Sequence, residues 1–269
     1  MNRLRDMMRY LALVGFGWLA LAYLALPLIV IIAVSFTTTE FLRFPPSGFT
    51  LKWYSRFLSD PSYLESIWIS ARLAVAATGI ALGLGVPAAL VLARTNFAGQ
   101  RLLANLFLSP LILPGIIIGV AILQYASMLG FARSFAALLA GHVVIVIPYI
   151  MRTTLASLSG FNRSLEEAAL DLGANNAQAF FLVTLPVIKP GVIAGALFAL
   201  IISWINVEVS IFNSTSEMLP IPVKLFNYIQ YSVDPMIAAV SAATIYFAIA
   251  AVVVLDLTVG IDRAATSRL

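Results

Sequence analysis

The chain alternates between long apolar runs and short polar intervals. Six runs stand out, at about 10–34, 66–92, 102–126, 135–155, 191–212 and 237–257. A stretch of about 20 apolar residues is long enough to cross a bilayer as a helix. In lipid the backbone must satisfy its own hydrogen bonds, so the runs are expected as six helices. Period-2 alternation is absent, which argues against a barrel. Pro27, Pro87, Pro110, Pro114 and Pro148 fall inside the runs and are expected to kink them. Gly79, Gly83 and Gly85, with Gly115 and Gly119, are expected to let helices approach closely.

One polar interval, about 156–190, has its own internal order. Ser164 followed by Glu167 has the spacing of a capping box. Glu166, Glu167 and Asp171 fall early in a short helix, where the dipole favours negative charge. Gly173 is placed to end that helix in the left-handed conformation. Asn175 or Asn176 caps a second short helix through Leu185, and Pro186 and Pro190 break the chain before the next run. The expected result is a compact projecting knob, on which small Ala168 and Ala169 allow close approach of a partner.

From Glu167 to Pro186 the interval reads E-A-A-x3-G-x9-V-x-L-P. This resembles the EAA signature of permease subunits in binding-protein-dependent ABC importers, with Val183 where that pattern usually has Ile. The segments Pro45–Tyr54, Gly141–Pro148 and Leu219–Ser241 look like the polyamine/opine/phosphonate branch, in particular its second permease subunit. The resemblance implies an all-α membrane protein with six transmembrane helices, a type I importer permease (MetI-like) fold, and a single permease domain over 1–269. It implies that Glu166, Glu167, Ala168, Ala169, Asp171, Gly173, Leu185 and Pro186 form a cytoplasmic coupling helix that docks on an ATPase subunit. It further implies a second permease subunit, with a heterodimer favoured, two ATPase subunits that bind ATP and Mg, and a periplasmic solute-binding protein. No cofactor is expected in this chain. The mechanism implied is alternating access. The cargo implied is a polyamine, with phosphonate, opine, amino-acid-like solutes and ferric iron as alternatives.

Composition agrees with the membrane reading: the 269 residues are 61% hydrophobic and 10% charged. There is no cysteine, which removes disulfides and thiol chemistry. A net charge of +4 with no basic patch gives no sign of nucleic-acid binding. The apolar run after Arg3, Arg5 and Arg9 is too long for a signal-peptide core and is read as an uncleaved first helix. With a cytoplasmic N-terminus, ten of the sixteen basic residues lie inside: Arg3, Arg5, Arg9, Arg94, Arg101, Arg152, Arg163, Lys189, Arg263 and Arg268. That bias puts both termini and the Glu167 interval in the cytoplasm, and the resemblance implies a multi-pass protein of a bacterial inner membrane. Aromatic residues over Phe44–Tyr54 suit an interfacial belt.

A few single residues carry candidate chemistry. Glu208 lies in the fifth run, where an ionisable side chain is costly and marks a cavity or a partner. Beside Trp204 and Asn206 it is the candidate for the substrate path, joining charge pairing to a cation–π contact. Arg72, one turn into the second run, reads as a snorkelling anchor, and Asp256 near Arg263 as an interfacial one. His142 is the one histidine, so it reads as structural rather than metal-binding. No phosphate-binding G-x4-G-K-[ST], no H-E-x-x-H and no G-x-S-x-G around Ser159-Gly160 occurs, and no catalytic residue is expected. An intramembrane protease and a passive channel are the competing readings from other classes.

Overall fold

The structure is a computed structural model and describes residues 2–259. Arg263 and Arg268, with the side chains of Arg3, Arg5, Arg9 and Asp256, lie outside the described residues, and so does the expected Asp256–Arg263 anchor. In chain order the helices are α1 Asn2–Val34, α2 Lys52–Leu58, α3 Pro61–Arg94, α4 Gln100–Leu108, α5 Gly115–Met128 and α6 Phe135–Ser159. They continue as α7 Ser164–Asp171, α8 Asn176–Ala179, α9 Leu185–Ile205, α10 Ser210–Asn213, α11 Ile221–Ile229 and α12 Pro235–Val259. Among the described residues, extended pairing is limited to two isolated bridges, Thr37 with Phe49 and Thr215 with Met218.

Among the described residues, five segments are long and apolar enough to cross a membrane: Tyr10–Val34, Pro61–Arg94, Phe135–Ser159, Asn176–Ile205 and Pro235–Val254. The sixth candidate is bent: Gln100–Leu111 and Gly115–Met128 meet at 106°. Three of the long helices start on a side-chain cap. Asp60 Oδ1 accepts from Ser62 N at 2.8 Å, Ser134 Oγ from Ala137 N at 3.2 Å, and Asp234 Oδ1 from Met236 N at 3.0 Å. Pro61 and Pro235 follow two of these caps, in the first helical position, where a missing N–H costs nothing. The second helix therefore begins earlier than hydropathy implied. Arg72 lies eleven residues in (72 − 61), about three turns rather than one. Its guanidinium stands 4.6 Å from the Phe135 ring.

Two runs are not the continuous helices expected. The run 102–126 breaks because Pro110 and Pro114 remove two backbone donors in close succession, and Leu113 before Pro114 is pushed away from helical geometry. Pro27, Pro87, Pro148 and Pro190 stay inside helices. The run 191–212 ends as helix at Ile205, and Glu208 lies beyond it, not within it. Here Asn206 is extended and its Oδ1 captures Val209 N at 2.9 Å, so a side chain outcompetes the helix for that donor.

The chain falls into two compact units, one taking in the chain to Leu64 with Asn227–Phe247, the other Glu65–Phe226 with the chain from Ala248. In the first, Trp53 is fully buried and its Nε1 donates to Thr37 O at 2.8 Å. The aromatic belt expected over Phe44–Tyr54 is thus divided: Phe44 and Phe49 are exposed, and Trp53 is core. Ser35 Oγ donates to Ile32 O at 2.6 Å and lies 2.7 Å from the Tyr54 hydroxyl. Burial pushes the Tyr54 phenol up to about 12. Lys52 and Glu40 form an ion pair at the surface. Tyr228 donates to Asp234 Oδ2 at 2.6 Å, and burial followed by that carboxylate raises its phenol above the ordinary value.

In the second unit α6 is the central element, with buried positions from Ala137 to Leu158, and α9 packs along it. Gly191 and Gly195 make that packing possible. A Cβ at Gly191 would stand 2.6 Å from Thr153 O, and one at Gly195 2.8 Å from Ile150 Cα, so the two backbones touch. Among the described residues nothing stands close to Gly79 or Gly83, whereas Gly85 stands close to Ile150.

Candidate functional site

The knob is built by residues 160–186. Asn162 Oδ1 accepts from Ser164 N at 3.1 Å and from Ser164 Oγ at 2.6 Å. Ser164 therefore lies inside the helix rather than at its cap position, and the expected Ser164–Glu167 capping box does not form. Arg163 is the N-cap residue of α7 and gives no side-chain cap. Glu166 turns inward to Arg94 at the end of α3, with Nη1 to Oε1 at 2.9 Å and Nη2 to Oε2 at 2.7 Å. Arg94 also reaches Thr184 Oγ1 at 3.2 Å, and Arg163 Nη2 donates to Arg94 O at 3.0 Å. One guanidinium thus ties α3, α7 and the segment before α9 together.

Helix α7 ends as expected at Gly173, with φ +93°. Gly173 N donates to Leu170 O at 2.9 Å and Ala174 N to Ala169 O at 3.0 Å, the bonding pattern of a Schellman motif. The capping box of this region belongs to α8: Asn175 Oδ1 accepts from Gln178 N and Gln178 Oε1 from Asn175 N, both at 2.9 Å. The expected separate second helix and proline break are corrected. From Asn176 the chain runs through a π turn, Phe180–Thr184, straight into α9, with Pro186 and Pro190 inside it. Leu185 N bonds five residues back to Phe180 O. A wide turn beside a proline absorbs the missing donor and the bulky ring without ending the helix.

Of the expected coupling residues, Glu167, Ala168, Asp171, Gly173 and Pro186 are exposed, while Ala169 and Leu185 are half-buried. Glu166, at 17% side-chain exposure, is an internal anchor. Around the exposed set project Leu165, Leu172, Phe181 and Leu182, with Leu172 90% exposed. Arg94 and Thr184 were missed from sequence, because nothing in their spacing links them to Glu166.

The second place is the break after α9. Asn206 and Glu208 meet there. Glu208 is exposed and has no ion-pair partner among the described residues. A side chain on Gly115, the first residue of α5, would strike the Glu208 carboxylate, and a Cβ on Gly119 would lie 2.7 Å from Glu208 O. The Gly115-x3-Gly119 pair thus seats the broken segment, not a neighbouring long helix. Trp204 is 7% exposed, so its ring presents no open face beside Glu208 and the expected cation–π pairing is not supported. Behind the break, His142 contacts Ser203 and Ser210, an arrangement no sequence spacing signals. Among the described residues no cluster of three or more His, Cys, Asp or Glu could hold a metal ion.

Long apolar helices, a bent crossing and a projecting knob describe a multi-pass membrane protein. The chain belongs to the family described as binding-protein-dependent transport system inner membrane component, whose sequence model matches residues 81–266. It is 30% identical over 241 residues to the spermidine/putrescine transport system permease protein PotC of Escherichia coli (strain K12), covering 90% of each chain. It is 28% identical over 251 residues to the PotC protein of Haemophilus influenzae, covering 93% of this chain and 97% of that one. The PotB permease protein of the same E. coli strain is 32% identical over 202 residues, 69% of this chain and 73% of its own.

Two solved structures show the fold. A bacterial ABC transporter that imports alginate matches with a TM-score of 0.69 at 20% identity, covering 93% of this chain and 96% of its own. The MetNI methionine ABC transporter, in an inward-facing form, matches at 0.59 and 19% identity, covering 74% and 94%. The fold is the type I ABC importer permease fold.

Proposed function

We propose that this chain is the membrane subunit of an ATP-driven polyamine importer and forms half of its translocation path. The kinship with spermidine/putrescine permease proteins supports the cargo. The observation that carries the mechanism is the knob: anchored from within by Arg94–Glu166, it turns Glu167, Asp171, Leu172, Phe181 and Leu182 outward. An exposed apolar set ringed by charge is what a docking surface needs. The knob lies in the cytoplasm with both termini, as the positive-inside bias implies. There it docks one of two ATPase subunits, which bind ATP and Mg; this chain hydrolyses nothing and holds no cofactor. This chain is a single permease domain over 1–269, and a second permease subunit, different from this one, completes the path. A periplasmic solute-binding protein delivers cargo.

Closure of the ATPase pair moves the knobs and switches the path between its two sides. Glu208 lines that path, with Asn206 shaping the break and Trp204 packed behind it. A carboxylate without an ion-pair partner at a helix break suits a cationic cargo. The test is uptake into proteoliposomes holding the complete transporter. Labelled spermidine should accumulate only with loaded binding protein outside and ATP inside. Accumulation without ATP, or of phosphonate, opine, amino acid or ferric iron in place of polyamines, would overturn the reading.

A further inference from the structure

The break after α9 is held by a buried polar chain that the transport reading leaves unused. His142 in α6 is 1% exposed and gives both ring nitrogens to hydroxyls. Nδ1 lies 2.7 Å from Ser203 Oγ and Nε2 2.8 Å from Ser210 Oγ. The Ser210 hydroxyl has one proton and donates it to Asn206 O at 2.8 Å. It must therefore accept from His142, which makes Nε2 the protonated nitrogen. Nδ1 is then an acceptor, and Ser203 donates to it. Hydrogen-bond donation runs in one direction, from Ser203 at the end of α9, through His142, to Ser210 in α10 and on to the Asn206 carbonyl in the break.

Neither side of the break has slack, with Gly141 in α6 and Gly119 in α5. A Cβ at Gly141 would stand 2.5 Å from Val209 Cγ1, and one at Gly119 3.1 Å from Val209 Cα. Asn213 Nδ2 donates to Gly119 O at 3.2 Å. The segment that carries Glu208 is thus pinned between α5, whose glycines receive it, and His142, which grips its two ends.

We propose that His142 is a positioning residue: through Ser210 and Asn206 it fixes the break and holds Glu208 against the start of α5. The effect on transport rests on the reading of Glu208 as a path residue; the effect on the break does not. Glutamine at 142 keeps a donor near the Nε2 position, whereas asparagine and leucine leave Ser210 without one. A buried hydroxyl left without its donor is enough to shift the break's equilibrium by about tenfold.

The test uses the complete transporter in proteoliposomes. The chain lacks cysteine, so Val207→Cys gives one reporter on it, read by mass after reaction with a cationic thiosulfonate. In His142→Leu and His142→Asn the labelling rate should change about tenfold, and in His142→Gln stay at the parent value. Spermidine moved per ATP should fall with the same pattern, while ATP hydrolysis is unchanged. Ser210→Ala, which removes one oxygen, should repeat the leucine result and serves if His142→Leu does not fold. Unchanged labelling in both His142→Leu and Ser210→Ala overturns the positioning role. It is also overturned if Glu208→Gln cripples transport while His142→Leu, with altered labelling, transports normally. Altered labelling with an indifferent Glu208→Gln instead removes the path reading and leaves the clasp.

Discussion

The knob at residues 160–186 and the break at 206–213 place charge in opposite ways. In the knob an ion pair, Arg94–Glu166, faces inward and holds the piece to α3, while Leu172, Phe181 and Leu182 point out. In the break the inward side is a neutral relay of His142, Ser203 and Ser210, and the charge, Glu208, points out. An outward apolar face with charged neighbours suits a protein partner that shields it from water. An outward carboxylate backed by neutral groups keeps its charge free for a cation. In the proposed transporter, that difference would separate the step that uses ATP from the step that passes cargo.

Four tests probe that separation, from the largest effect down. Glu208→Gln should cut spermidine moved per ATP by about tenfold or more and leave ATP hydrolysis intact, as counted in proteoliposomes. Leu172→Asp with Phe181→Asp should lower uptake and binding-protein-stimulated ATP hydrolysis together, by about fivefold, because the docking face is spoiled. If those two variants behaved alike, the knob and the break would not be separate devices. Arg94→Ala leaves a mostly buried carboxylate alone and should cost about 1–2 kcal/mol in thermal unfolding of the detergent-purified complex. Adding Glu166→Ala should recover part of that loss, since the stranded charge is then gone. Asn175→Ala removes the α8 cap and should cost about 0.5–1 kcal/mol, with uptake nearly unchanged.

Legibility in the sequence differed between the two regions, for physical reasons. The six apolar runs and the Gly173 stop depend on neighbours a few residues apart, so they could be read directly. The capping of α7 could not, because Asn162, two residues before Ser164, accepts from Ser164 N and the helix starts with Ser164 already inside it. Pro186 pointed to a break, but a π turn absorbed it. Glu208 was legible as an anomaly, a charge in an apolar run. Its place outside the helix was not, because that depended on Asn206 capturing Val209 N. Arg94 and Glu166 lie 72 residues apart, and His142 lies 61 and 68 from its two serines. Contacts at such separations leave no periodic trace. Gly191 and Gly195 carried the small-x3-small spacing, yet so did other glycines with nothing close among the described residues.

The most direct measurement is the number of spermidine molecules accumulated per ATP hydrolysed by the complete transporter, compared between Glu208→Gln and the Leu172→Asp/Phe181→Asp pair. A division of labour between knob and break predicts a collapse of that ratio in Glu208→Gln. In the knob variant the ratio should be preserved while both rates fall. A preserved ratio in Glu208→Gln, or a collapsed one in the knob variant, would contradict it.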